Sequence, residues 1–594
     1  MITTVDIVTI VAYFALLLGV GFVFNRLNAN ADDYFRSGCK GTWWLVGMSA
    51  FMGSFSAWTF TGAAGAAFSA GWSVMIIFWA VAAGSFVAVW VAPWFRQMRV
   101  YAMPQVFEQR WHKPLARLQF YIFAIFAAIA PAIWLYGLAT FTSAMFGLNL
   151  EILIISLGAV VLIYSMVGGT WGGLATDFLQ GIILMPITIL ITVLCLIKVG
   201  GIAEFLALIK QQGLTEDYAM IKPAGWAADG RYTIWWAAAM VIIQINTAVN
   251  MGNALKYNSV KDGKSARYAA LFSGLLMAAG AFIWFVPPVT SRLLFADQVN
   301  LAMIASPAES AYAVAALNVL PAGLKGLMVV SIFAATLSSM DSGLTRQAAN
   351  YFNVFIPDFC ALFKLQPPRS DRAQLLIGRI ITLVLGGVII TLALVFARQG
   401  KGVFELLLQL QNFLVGVGIV SLWGLFIRRA PLITPYACMV SGLICGVLTL
   451  WSEPLLGLKL NFQQQLLVNF GIPSLAYFLC VPFFERHSSP EFKARVDVFF
   501  TKMKTPVDFE KEVGAPEDVT QLILVGRFSV AIAVFVACLS ITSKSTSDLV
   551  SILAVSATIG GLGGLLWFAG VRSKRKLIVF KQSLDALPRK GSQS

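Results

Sequence analysis

Between residues 331 and 345 the chain reads SIFAATLSSMDSGLT, placing Ser331, Ser338, Ser339, Ser342, Thr345 and one carboxylate, Asp341, in an otherwise apolar segment. At about 100° per residue on a helix, Ser331, Ala335, Ser338, Ser339, Asp341, Ser342 and Thr345 fall within an arc of roughly 160°. Phe333, Thr336 and Met340 point elsewhere. A stripe of hydroxyl oxygens with one carboxylate suits a small hard cation, which takes oxygen ligands. Polar and ionisable groups are costly at membrane depth, so in a membrane helix such a stripe reads as a site. Serines that back-bond to the carbonyl four residues earlier would explain one of these hydroxyls, but poorly the whole stripe. A proton relay would favour more buried acids or a histidine, and neither His112 nor His487 lies in an apolar segment.

The elements that carry this stripe follow from composition. Of 594 residues, 58% are apolar and only 12% charged, about half the charge of a soluble domain. Mean hydropathy is +0.79. The chain contains about fifteen apolar runs of roughly 20 residues, the length a helix needs to cross a bilayer. Continuous runs of that length exclude a membrane barrel, whose strands alternate. The expectation is an all-α polytopic membrane protein.

A net charge of +15 could point to nucleic acid, but its distribution does not. With the N-terminus outside, the cytoplasmic gaps and C-terminal tail collect about thirty Lys and Arg, among them Arg96, Arg99, Arg110, Lys256, Lys261 and Arg428. The opposite gaps hold about nine. That bias orients the chain N-out and C-in and calls for no nucleic-acid partner. The seven cysteines fall in helices or cytoplasmic gaps, so no extracellular disulfide framework is expected, and the two histidines lack metal-ligand spacing. The first apolar run is too long for a signal-peptide core and reads as a retained helix.

No gap is long enough for a nucleotide-binding domain, so an energy source must act on the membrane part itself. Residues 486–525 form the longest cytoplasmic loop. Within it PEFKARVDVFFTKMKTP spaces Phe492, Val496, Phe499 and Met503 helically against basic residues, which reads as an amphipathic helix on the anionic inner leaflet, with a regulatory contact as the alternative. The glycine-rich stretches VGGTWGGLATD and TIGGLGGLLW lack the Lys-Ser/Thr ending of a phosphate loop and read as close helix packing.

Two segments differ from ordinary spans. The second, GMSAFMGSFSAWTFTGAAGAAFSAG, is rich in Gly, Ser and Ala and easy to unwind in its middle. The seventh, WWAAAMVIIQINTAVNMGNALKYN, carries Asn246, Asn250 and Asn253 at i, i+4, i+7. They lie five helices apart, as the broken helices of inverted-repeat transporters do, with solute between them at the midplane. The expected division is an extra N-terminal helix (1–30), a first repeat (43–198), a second repeat (232–427), accessory helices (428–485), the amphipathic loop (486–525), a terminal helix pair (526–571) and a basic tail (572–594).

DYFRSGCKGTWW, VYAMPQVFEQRW, MVGGTWGGLATDFLQG and AATLSSMDSGL, in this order and spacing, resemble the sodium:solute symporter family over about residues 5 to 450. The resemblance implies a five-plus-five inverted-repeat fold with one N-terminal helix and about four extra C-terminal helices, in a bacterial-type inner membrane or a plasma membrane. It implies sodium as coupling ion, held by carbonyls of Met52 and Phe55 at the break in the second helix, a carbonyl of Ala335, and the hydroxyls of Ser338 and Ser339. It further implies that Asp177 lies on the sodium release path. With Asp341 and Ser342 it offers a second cation site, and hence two cations per cycle. The sugar-binding Gln, Glu and Lys of relatives are matched by Thr59, Phe78 and Gly274, and the proline-type acid by Ser54, so neither solute site is reproduced. Trp58, Thr59, Asn246, Asn250, Gln409, Gln411 and Asn412 are the remaining pocket candidates and suit a polyhydroxylated or neutral polar solute. Besides that solute and the bilayer, no obligate protein partner and no organic cofactor are expected.

A proton-coupled carrier using Asp177 and Asp341 remains an alternative, as does a non-transporting sensor of the same fold. A membrane enzyme is disfavoured, because no nucleophile–base pair or metal motif lies in or near the spans.

Overall fold

The computed structural model describes residues 3–25, 39–100, 103–167, 170–251, 254–302, 304, 306–366, 368, 370–512 and 518–585. Within these, the side chains of Asp341, Ser342, Thr345 and Arg346 lie outside the described residues, as does Asn253 entirely. Among the described residues the architecture is helical, with a lone bridge pairing Gly41 with Val260. Ten helices are long and apolar enough to cross a membrane, and shorter apolar helices, Trp43–Met52, Ile234–Val249 and Leu324–Met340 among them, run beside them. Among the described residues no disulfide joins the cysteines.

The small-residue segment breaks where its composition allows it. A leading half-helix, Trp43–Met52, ends at Gly53, and the chain runs to Ser56 before a short helix, Ala57–Phe60, and a trailing half-helix, Gly62–Ala70. Ser56 is fully extended and its hydroxyl accepts the Trp58 N–H, restarting the helix with an ordinary N-cap. The asparagine segment behaves alike: Ile234–Val249 ends at an extended Asn250, and the chain resumes helix at Ala254–Tyr257.

Prolines inside spans are tolerated where another side chain takes over the carbonyl they orphan. Pro287 in helix Gly263–Leu294 cannot donate to the Ile283 carbonyl, and the Thr192 hydroxyl donates to it instead, at 2.5 Å. The terminal pair, Asp518–Cys538 and Thr546–Asp585, packs backbone to backbone. A Cβ at Gly526 or Gly563 would lie 2.5 Å from the Trp567 nitrogen or 2.6 Å from the Ser529 Cβ. Small-residue packing therefore accounts for TIGGLGGLLW.

The loop helix Pro490–Lys504 is a correction. Phe492, Val496, Phe499 and Met503, the face read as lying on lipid, are buried together with Phe500 against the protein in a cluster with Phe95, Val106, Phe107 and Trp111. Arg495 donates to the Trp111 carbonyl, and Arg428 pairs with Asp497. Beneath it, fully buried Arg110 donates to the carbonyls of Gly424, Ile427 and Arg428, capping the end of helix Val403–Phe426, and stacks 4.0 Å from the Trp111 ring. Amphipathic spacing fixes which face is apolar and says nothing of what covers it.

The N-terminal helix, Thr4–Asn25, is tied to the serine-bearing helix, Leu324–Asn350, by one side chain. Asp6 is fully buried, and its Oδ1 accepts the N–H groups of Gly323 and Gly326 at 2.7 and 2.9 Å. A carboxylate at a helix N-terminus satisfies orphan donors and meets the positive end of the dipole. Gly326 has no room for a side chain, since its Cβ would lie 2.4 Å from the Asp6 carbonyl. Replacing Asp6 with Ala leaves two buried N–H groups unpaired. The expected outcome is a loss of about 1–3 kcal/mol in unfolding of the detergent-solubilised protein, with Asp6→Asn intermediate.

Candidate functional site

The break at 53–56 and the serine stripe meet. The Ser339 hydroxyl lies 3.2 Å from the Met52 carbonyl, which also accepts the Phe55 N–H at 3.1 Å, and 2.9 Å from the carbonyl of Phe55 where the helix unwinds. Oxygens sharing a hard cation at about 2.3–2.6 Å are themselves roughly 3 Å apart, so three of the expected ligands already have cation-like spacing. Ser338 is buried with a hydroxyl that has no hydrogen-bond partner, and Ala335 is fully buried beside it. An orphaned buried hydroxyl next to converging carbonyls fits an oxygen-ligated ion better than it fits packing.

The stripe is not uniform. The Ser331 hydroxyl bonds back to the Leu327 carbonyl, so for that residue packing suffices. Thr336 departs from the sequence expectation: it is fully buried, and its Oγ1 accepts the Ala57 N–H at 2.9 Å. The broken helix packs against the serine-bearing helix, so a side chain about 60° beyond the edge of the stripe still reaches it. Asp177, on helix Thr170–Val199, is buried and takes the hydroxyl of Ser49, one turn before Met52. Asp341 and Ser342 belong to helix Leu324–Asn350, but their side chains are outside the described residues.

A cavity of about 230 Å³ opens beside this point. Gly53, Ser54 and Ser56 from the first break line it, with Gln244 and Thr247 before the second, and Ser339 joins them. Of the solute candidates, Trp58 and Gln411 line it. Thr59, Asn246, Asn250 and Gln409 do not. Asn246 lies about 200° around its helix from Gln244, which takes the place expected for it. Asn412 is turned away altogether: its amide donates to Gln465 and its oxygen accepts from Asn469 on helix Phe462–Cys480. Ser85, Ser273 and Lys256 also line the cavity, and Lys256 reaches the Ser54 hydroxyl at 3.5 Å. Spacing gave no sign of these three, since each sits singly in its segment.

Trp58 closes one end. Its ring stacks on Phe404, centroids 5.8 Å apart at 8°, and on Phe78 at 6.0 Å and 26°. Just above, Gly62 lies so close to Phe404 that a Cβ would meet its nitrogen at 2.8 Å. The Tyr136 hydroxyl donates to the Lys401 carbonyl at the start of the same helix.

Comparison with known proteins bears on the family and the fold. A model of the sodium:solute symporter family matches residues 34–442. The sodium/myo-inositol cotransporter 2 of Sus scrofa is 27% identical over 489 residues, covering 75% of this chain and 69% of that one. The sodium/glucose cotransporter 2 of Rattus norvegicus is 24% identical, covering 75% and 72%. The sodium/sialic acid symporter of Aliivibrio fischeri is 24% identical, covering 72% and 84%. Among solved structures, a substrate-bound, outward-open Na+-coupled sialic acid symporter superposes with a TM-score of 0.68 at 20% identity, over 81% of this chain and 98% of that one, which establishes the shared fold.

Thr336→Val keeps the shape and removes the acceptor for Ala57 N–H. The expected outcome is a loss of about 1–3 kcal/mol in thermal or denaturant unfolding, largely recovered in Thr336→Ser. Equal stability of Val and wild type would show that the contact is not used.

Proposed function

The chain belongs to the sodium:solute symporter family, and on that premise we propose that it is a secondary active transporter coupling sodium entry to symport of a small polar organic solute by alternating access. It is an integral membrane protein of about fifteen spans, N-out and C-in, with residues 43–198 and 232–427 as the inverted repeats. One observation carries the reading: Ser339 both meets the carbonyls of Met52 and Phe55 and lines the cavity. A sodium ion held by those oxygens with Ser338 and Ala335 bridges the broken helix to the serine-bearing helix, so ion occupancy and the shape of the solute cavity change together. Ions enter from the Trp58 side when the Phe404 contact opens. Loss of sodium to the other side frees the Met52 and Phe55 carbonyls and loosens the tie that shapes the cavity.

Hydroxyls, amides and one ammonium, that of Lys256, in the cavity beside the Trp58 ring favour a polar metabolite with several hydroxyls. Relatives named for myo-inositol, glucose and sialic acid fit that class. Asp177, buried and accepting the hydroxyl of Ser49 one turn before Met52, supports a second cation between it, Asp341 and Ser342. Each cation entering down 100 mV supplies about 2.3 kcal/mol, roughly fiftyfold accumulation, so the number matters.

Sodium is expected to raise the melting temperature of the purified protein over lithium, potassium and choline chloride at matched ionic strength. A ligand at about 100 times its Kd adds roughly 2.7 kcal/mol. Ser339→Ala abolishes that shift. No difference among salts, with the variant unchanged, would reduce the stripe to helix packing. In proteoliposomes the flux ratio gives two sodium ions per solute for wild type and one for Asp341→Asn. One in both removes the second site.

A further inference from the structure

Glu309 sits in the turn Pro307–Ser310, between helix Gly263–Leu294 and the serine-bearing helix, and so outside the spans. On the proposed orientation this turn faces the outside. Yet the residue is only 3% exposed. Its Oε1 accepts the Phe404 N–H at 3.3 Å, at the first turn of helix Val403–Phe426, and lies where a Cβ on Gly402 would be 2.9 Å away. Its Cγ presses on the trailing half-helix: a Cβ at Gly65 would meet it at 3.0 Å. One carboxyl group thus joins the turn, the half-helix beyond the break and the start of the helix that carries Phe404, directly over the Trp58–Phe404 stack. These are the surfaces that must part for solute to enter from outside.

We propose that Glu309 is a proton-binding site of the outer gate, taking up a proton when the gate closes and releasing it when the gate opens. The inference rests on the alternating-access reading above, because only a gate that opens returns Glu309 to water. In the closed gate burial pushes its carboxyl up to about 7, against the opposing pull of the Phe404 and Val403 N–H groups. Hydrated in an open gate, it returns to the ordinary range near 4.3. The proton therefore favours closure: the closed-to-open ratio falls as pH rises through about 5 to 7, by up to about tenfold per unit, and levels off above 7.

Few groups compete for this role. Gly62–Ala70 presents no titratable side chain. Tyr136 on helix Ile129–Phe146 is close enough to feel the Glu309 charge. The other neighbouring elements carry Asp297 and Tyr312, and the capped helix is flanked by Lys401 and by Glu405, which pairs with Arg231 at 3.5 Å.

The test is amide hydrogen exchange of the full-length protein in lipid nanodiscs, in choline chloride without sodium, from pH 5 to 8.5 and corrected for intrinsic exchange. Peptides spanning 62–70 and 403–410 are expected to lose protection between pH 5 and 7 in wild type and to stay protected throughout in Glu309→Gln. Gly65→Ala, whose Cβ would crowd the Glu309 side chain in the closed packing, moves the midpoint to lower pH than in wild type and serves if the glutamine variant does not fold. A flat wild-type profile, or a profile unchanged in these variants, overturns the proposal. Sodium-dependent stabilisation is scored separately. Its absence beside a normal pH profile defeats the coupling reading and leaves the proton site standing, and the converse result defeats only the proton site.

Discussion

Unwinding a helix inside an apolar bundle strands backbone groups that water would otherwise satisfy, and the chain between Gly53 and Ser56 is built around that constraint. Backbone groups near the break are matched by side chains: the carbonyls of Met52 and Phe55 by Ser339, the Ala57 N–H by Thr336, the Trp58 N–H by Ser56. Three of these four bonds come from residues 336 and 339, on a helix almost 300 positions away. A break so dependent on one partner helix is a joint between two bodies, and an ion that adds to or removes from those bonds acts on the joint directly.

The same logic appears at the ends of other helices, with charged groups in place of an ion. Asp6 supplies the missing acceptor at the start of the serine-bearing helix, Arg110 the missing donors at the end of helix Val403–Phe426, and Glu309 an acceptor at its beginning. Lys222, in the connection before helix Ile234–Val249, donates to the carbonyls of Glu216, Asp217 and Ala219, and burial brings its ammonium down to about 8. Asp6, Arg110 and Lys222 each hold backbone at an end of the bundle, where full burial of a charge is offset by several hydrogen bonds to it.

Helix Val403–Phe426 is gripped at both ends and lines the cavity between them through Leu407 and Gln411. Its start touches the trailing half-helix and its finish touches Arg110, above which the Pro490–Lys504 helix is docked. One helix thus joins the Trp58–Phe404 contact to the Arg110 cap. The Pro490–Lys504 helix is held at that far end by Arg495, Asp497 and its buried phenylalanines.

Much of this was legible in the residues alone. Apolar runs of about 20 residues determine spanning helices because the bilayer has one thickness. The run of Gly, Ala and Ser after Gly47 determines a weak helix because those residues hold it poorly, and hydroxyls at 338 and 339 in an apolar helix must answer to something. What sequence could not decide is which neighbour each face meets. Gln411 lines the cavity while Asn412, about 100° further round, binds helix Phe462–Cys480; Gln244 lines the cavity and Asn246 does not; Thr336, off the stripe, reaches Ala57. The apolar face of residues 490–504 covers protein and not lipid. Periodicity sets angles within one helix, whereas the partners at those angles are set by how all the helices pack, and that is information only the tertiary structure holds.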